Sequence, residues 1–140
     1  METLVEVSFH LSSDKTNMHE IERLIGIYPC RTRTEFPKGS IAVPFWCIER
    51  QVKCLDFETA FYVLFDEIKD KQDTIIELCK RYEIVPMVMF VVRITYSHRP
   101  DMTITPQMMK FLTHLQAELI IYPIVVSDDE VYNTGDGPMR

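Results

Sequence analysis

Glycine is scarce in this chain, and several signatures of common enzymes are missing. Four glycines among 140 residues leave none to build a Gly-rich phosphate-binding loop. The patterns GxSxG and HExxH do not occur, which removes the familiar serine-hydrolase and zinc-protease motifs. The longest apolar run, 84–92, is far shorter than a membrane-spanning helix. The sequence therefore predicts a protein with no membrane segment and no catalytic motif.

Cysteine spacing argues against both a disulfide framework and a metal site. The four cysteines include no CxxC pair, and Cys47 and Cys54 are seven residues apart, a spacing that matches no zinc motif. We expect reduced, mostly buried thiols, no cofactor and no metal. Glu2 and Glu6 stand where a signal peptide would carry basic residues, so we expect a cytoplasmic protein. A nucleophilic pair of Cys47 with His10 is the minor alternative to a structural Cys47.

The charge of the chain is unevenly distributed. The net charge is −6, yet residues 31–53 hold five basic and two acidic side chains. An acidic surface repels the phosphate backbone, so the composition argues against nucleic acid as a partner. The same surface suits a protein partner with a basic face.

The first half of the chain has the pattern of a strand, a helix and a second strand. Residues Leu4–Leu11 alternate between apolar and polar side chains, which predicts a half-buried strand. Asn17 and Glu20 have the spacing of a capping box for the helix that follows. The stretch 28–44 contains three prolines and is predicted to be irregular, and the strand 45–52 comes after it.

A long amphipathic pattern follows from Phe57 to Tyr82. A single helix of this length would span about 39 Å, too long for a domain whose radius of gyration is about 14 Å. We therefore expect Asp56 to cap a first helix and a break near Asp70–Asp73. Thr74 and Glu77 are then expected to cap a second helix, beyond the break.

The last part of the chain predicts a strand, a short strand, a helix and an edge strand. Residues 85–96 are rich in Val and Ile, which favours a central strand, and 102–104 are expected to form a short strand. Thr105 and Pro106 have the types preferred at the start of a helix. Pro123 within the final strand, 118–127, indicates a sheet edge.

This order of elements predicts an α+β fold. We expect one domain over residues 1–127, with a mixed, mostly antiparallel sheet of four to five strands, helices packed on it and a ferredoxin-like arrangement. The first and last strand–helix–strand segments are expected to be parallel units with right-handed crossovers. Residues 128–140 are polar and are expected to form a flexible tail.

The chain also resembles a known family. The segments LIGIYP (24–29), Lys38-Gly39 before Trp46, ITPQMMKFLTHL (104–115) and ELIIYPI (118–124) occur in the order and spacing of the bacterial family called domain of unknown function 4279. The resemblance spans about Val5 to Val126. It implies the fold outline and a bacterial or phage source, and it supplies no catalytic residues.

One segment is the candidate binding site. Arg31, Arg33 and Lys38 offer donors to an anionic group, and Gly39 lets a ligand approach the backbone. Trp46 is a candidate anchor for a ligand or partner. The competing interpretation is a solvated loop with Trp46 in the core.

These observations favour a noncatalytic binding protein with a protein partner. A toxin-neutralising immunity protein, acting on a toxin with a basic face, is its concrete form. The alternative is a small-ligand (anion) binding or sensing domain. Residues 123–126 on an edge strand would also permit a homodimer through strand pairing.

Overall fold

The fold is built on one mixed sheet of five strands. The computed structural model describes residues 3–13, 18–27, 31–33 and 45–127. Its elements are, in chain order, β1 (Thr3–Ser12), α1 (Met18–Ile25), β2 (Arg31–Arg33), β3 (Phe45–Cys54), α2 (Phe57–Ile68), a 3-10 turn (Lys69–Lys71), α3 (Gln72–Tyr82), β4 (Met87–Ile94), α4 (Pro106–Leu115) and β5 (Glu118–Val125). The strand order is β2-β3-β1-β4-β5, and the α+β prediction is confirmed.

Strand β1 lies at the centre of the sheet, between β3 and β4. It pairs antiparallel with both, so that Phe9 lies opposite Ile48 on one side and Val88 on the other. Strand β5 is parallel to β4, which requires the crossover that α4 provides. The order of the first four strands is compatible with a ferredoxin-like arrangement, to which α4 and β5 add one parallel unit.

The hydrophobic core lies between one face of the sheet and the helices. Odd-numbered β1 residues such as Val7 and Phe9 are fully buried there, together with apolar residues of all four helices. Helix α2 is joined to the sheet by a stacked pair, Phe57 on Phe90, with ring centroids 4.3 Å apart. A stacked pair at this distance stabilises the fold beyond the contribution from burying the two rings.

The long amphipathic segment breaks where the sequence predicts it. Helix α2 begins after Asp56, whose carboxylate accepts a hydrogen bond from the Thr59 backbone N–H at 2.7 Å. It ends at Ile68, and the 3-10 turn leads directly into α3. Thr105 likewise caps α4, with Pro106 as the first helical residue. The predicted caps of α2 and α4 are therefore confirmed.

Four local predictions are wrong. Strand β1 is buried on both faces rather than half-buried, because it is the central strand. A short strand, β2, lies within the stretch predicted to be irregular, and β3 lies between β1 and β2 and is antiparallel to both. Among the described strands, β4 and β5 are therefore the only neighbours that pair in parallel. Residues 102–104 form no strand, and the nearby bridge joins Asp101 to Asp56. Helix α3 begins at Gln72 without a side-chain cap, since the 3-10 turn continues into it.

Other predictions fall outside the described residues. Asn17, the first member of the predicted capping box at α1, is among them, as is the tail 128–140. Glu20, the second member, accepts hydrogen bonds from Arg23 along α1. The division of the chain into a domain and a flexible tail stays a prediction.

The cap of α2 gives a direct test of this fold. The substitution Asp56→Ala is expected to lower the free energy of unfolding by about 1 kcal/mol, because the Thr59 N–H loses its acceptor at the helix start. Urea unfolding followed by circular dichroism measures the change. Asp66→Ala is the matched control, since Asp66 is an exposed acid in the last turn of α2. Equal effects of the two substitutions would contradict the capping role.

Candidate functional site

The sheet face opposite the helices carries polar side chains, and we call it the polar face. By strand register it holds Glu6, Ser8 and His10 of β1, with Cys47, Glu49 and Gln51 of β3 and Arg93 of β4. Glu6, Ser8, His10, Cys47 and Arg93 are buried. Buried polar groups are costly unless they are hydrogen-bonded, so this face is a candidate site.

A thiol, an imidazole and a hydroxyl meet at the end of the polar face nearest β2. His10 and Cys47 are cross-strand partners, and the Cys47 sulfur is 3.8 Å from His10 Nε2. The Ser8 hydroxyl oxygen is 2.8 Å from the same nitrogen. The structure thus brings together the Cys47–His10 pair that the sequence offers as an alternative. Because Cys47 has no solvent exposure, the arrangement fits a structural thiol better than a nucleophile.

Arg93 lies on the polar face near the opposite end of the sheet, beside Ile124 of β5. It is only 4% exposed, and its Nη1 atom is buried without a hydrogen-bond partner in the described part of the chain. An arginine keeps its charge in any protein environment. A buried guanidinium without a full set of acceptors destabilises the fold, so this position has a stability cost.

The structure describes only part of the predicted binding site. Arg31 and Arg33 occupy the short edge strand β2, at register positions opposite Cys47 and Phe45. Lys38 and Gly39 lie outside the described residues. The grouping of these residues as a binding site stays a prediction.

Trp46 belongs to the core. It is fully buried on the helix side of the sheet, with its ring edge-on to Phe9 at a centroid distance of 6.4 Å. Its indole Nε1 has no hydrogen-bond partner among the described residues. This is the alternative that the sequence left open for Trp46, and it leaves the ring no surface on which to anchor a ligand.

Most acidic side chains of α2 and α3 form ion pairs with basic residues. Ion pairs join Asp66 to Lys69, Glu77 to Arg81 and Glu67 to Arg50. These pairs are at least one-third exposed and contribute little stability. They identify this surface as a solvated helix face rather than an acid–base site.

The other described thiols show no sign of activation. Burial raises the pKa of the Cys79 thiol to about 11, so Cys79 stays protonated at neutral pH. Cys47, Cys54 and Cys79 are all thiols without disulfides. Over the described ranges, no three His, Cys, Asp or Glu side chains are grouped to hold a metal ion.

Some candidate residues escaped sequence reasoning altogether. Arg93 follows six apolar residues of β4, and its own residue type does not distinguish it from a surface arginine. Its burial depends on neighbouring strands that the local pattern does not reveal. None of the helices in the described ranges is long and apolar enough to cross a bilayer.

Arg93 provides a stability test. The substitution Arg93→Met is expected to raise the free energy of unfolding by on the order of 1 kcal/mol, because it replaces a buried charge by an apolar chain of similar length. Thermal and urea unfolding measure the difference. Arg99→Met, at an exposed arginine, is the control and should change little. A clear loss of stability in Arg93→Met would show that the guanidinium is well paired.

Comparison with known proteins assigns the chain to a family. Neither the curated proteins nor the solved structures that were searched contain a match to it. A family model described as "Domain of unknown function (DUF4279)" matches residues 2–125. That match covers most of the sequence and all the described strands, from β1 to β5. The chain belongs to the DUF4279 family, as its sequence motifs predict.

Proposed function

We propose that the protein is a noncatalytic binding protein that recognises another protein in the cytoplasm. A toxin-neutralising immunity protein is the concrete form of this proposal. The single observation that carries it is the exposed apolar surface of β5. The described cysteines are free thiols, which is what a protein in a reducing compartment such as the cytoplasm has.

Strand β5 exposes large apolar side chains on both of its faces. Ile120 and Tyr122 lie on the polar-face side and Ile121 and Val125 on the helix side, and all four are exposed. Tyr122 is 60% and Val125 75% exposed. Apolar side chains grouped on one element of the surface are typical of a protein-interaction site, whereas scattered ones are not.

The backbone of β5 limits how a partner can bind. Glu118 and Val126 donate their backbone N–H groups to carbonyls of Pro86 and Ile94, next to β5 on the β4 side. The backbone N–H and C=O groups of even-numbered β5 residues therefore face β4, and those of odd-numbered residues face outward, away from the sheet. Pro123 is therefore on the outer edge, where it offers no N–H. We infer that a partner binds mainly through side chains, with outward backbone N–H donors on β5 limited to Leu119, Ile121 and Val125.

Charge favours a partner with a basic face. The chain carries a net charge of −6, and Glu58, Asp70 and Asp73 are exposed acids with no ion pair in the described part of the structure. Opposite charges accelerate the encounter of two proteins, and salt screens this effect. The association rate is accordingly expected to fall as the salt concentration rises.

The test is a binding measurement with a matched pair of variants. A partner is first captured from a lysate of the source cells and identified by mass spectrometry, and the purified pair is then studied by surface plasmon resonance. The double variant Ile120→Ser, Tyr122→Ser is expected to weaken binding at least tenfold, because it removes two exposed apolar contacts.

Leu55→Ser is the control for that experiment. Leu55 is also a large exposed apolar residue, but it lies between β3 and α2 and is not part of β5. Its substitution should leave the affinity unchanged. Equal affinities for the parent and the β5 double variant would overturn the role of β5. If β5 instead joins two copies of the chain, sedimentation will show a homodimer that the double variant dissociates.

The second candidate function is anion binding at the basic segment. Strand β2 places Arg31 and Arg33 at alternate positions of a sheet edge, and that spacing suits joint recognition of one anionic group. Inorganic phosphate is the simplest probe, measured by calorimetry. Binding that disappears in Arg31→Gln, Arg33→Gln and persists in the control Arg99→Gln would support this function. The same weak signal in all three proteins would contradict it.

A further inference from the structure

A groove between α2 and α4 combines an aromatic wall with basic side chains. Its volume is about 410 Å³, within the range of small-molecule sites. Tyr62 and Phe65 of α2 and Phe111 of α4 supply the wall, and Lys110, His114 and Gln107 supply polar groups from α4. The groove shares no residue with the exposed apolar set of β5.

The aromatic rings are held in fixed mutual orientations. Phe65 and Phe111 are edge-to-face, with centroids 4.5 Å apart, and Tyr62 is edge-to-face with Phe65 at 5.8 Å. Phe111 is also edge-to-face with the buried Phe61, which ties the wall to the core. Tyr62 and Phe65 are partly exposed and leave ring surface to the groove. Another aromatic ring packs on such a surface with favourable edge-to-face geometry.

The groove is lined by one cation, Lys110, and by no carboxylate. Gln107, Lys110 and His114 follow one another at spacings of three and four residues, so they share one face of α4. Lys110 is exposed and makes no ion pair within the described ranges. Tyr62 donates a hydrogen bond to Gln107 Oε1 at 2.9 Å, which joins the two helices at the mouth of the groove.

We propose that this groove binds a small aromatic carboxylate. The ring of the ligand packs against the exposed ring surfaces of Tyr62 and Phe65, and its carboxylate accepts hydrogen bonds from the Lys110 ammonium and the His114 ring. In a chain of net charge −6, a groove lined by an unpaired lysine and no acid is complementary to an anion. This site is independent of the β5 surface and of Arg31 and Arg33.

The experiment uses three probes that separate ring from charge. Benzoate, benzyl alcohol and acetate are titrated into ¹⁵N-labelled protein, and amide shifts are followed by NMR. Benzoate is expected to shift α2 and α4 amides in a saturable way, with a Kd on the order of 1 mM. Benzyl alcohol lacks the charge and acetate the ring, so each should bind at least fivefold more weakly.

Variants then assign the two contacts. Lys110→Gln should weaken benzoate at least fivefold and leave benzyl alcohol unchanged, whereas Lys80→Gln, at an exposed lysine of α3, should change neither. Phe65→Leu should weaken both ring-bearing probes. Because Lys110 is a surface residue, its variant is expected to fold even if the Phe65 variant does not. Benzoate-induced shifts that fail to saturate would overturn the proposal, as would equal benzoate affinities of the parent protein and Lys110→Gln. Both results are independent of the outcome at β5.

Discussion

The position of β1 at the centre of the sheet is the constraint on which the rest of the molecule depends. With β3 on one side and β4 on the other, every second β1 residue must enter the helix-covered core, and the residues between must face the opposite way. The register cannot slip by one residue without burying Glu6, Ser8 and His10 among the helices. The polar face is thus a direct consequence of the pairing that builds the core.

Local sequence signals identify the elements that short-range chemistry controls. Asp56 and Thr105 have side chains that satisfy free backbone N–H groups a few residues away, and both caps form as their residue types predict. The length of the helix pattern requires a break, predicted near Asp70–Asp73, and the structure has a 3-10 turn at Lys69–Lys71 between α2 and α3. Pro123 marks β5 as an edge strand because its ring cannot donate to a neighbouring strand.

Long-range neighbours account for what the sequence does not reveal. The alternation of β1 predicts a strand exposed on one face. Its two partner strands are distant in sequence and make it central, since Phe9 lies opposite Ile48, 39 residues away, and Val88, 79 residues away. Trp46 follows a basic segment in the chain and yet packs on Phe9. The α2–α4 groove joins Phe65 to Phe111 across 46 residues of sequence, and neither helix pattern alone distinguishes those rings from ordinary core residues.

The outward position of Pro123 has a consequence for the behaviour of the protein at high concentration. The stretch Leu119–Tyr122 is apolar and has high β propensity, the composition of segments that stack into fibrils. A fibril needs an uninterrupted row of donors and acceptors along a strand edge, and Pro123 interrupts that row directly after the apolar stretch. One proline therefore allows the chain to keep an apolar surface for recognition without offering a template on which further copies can grow.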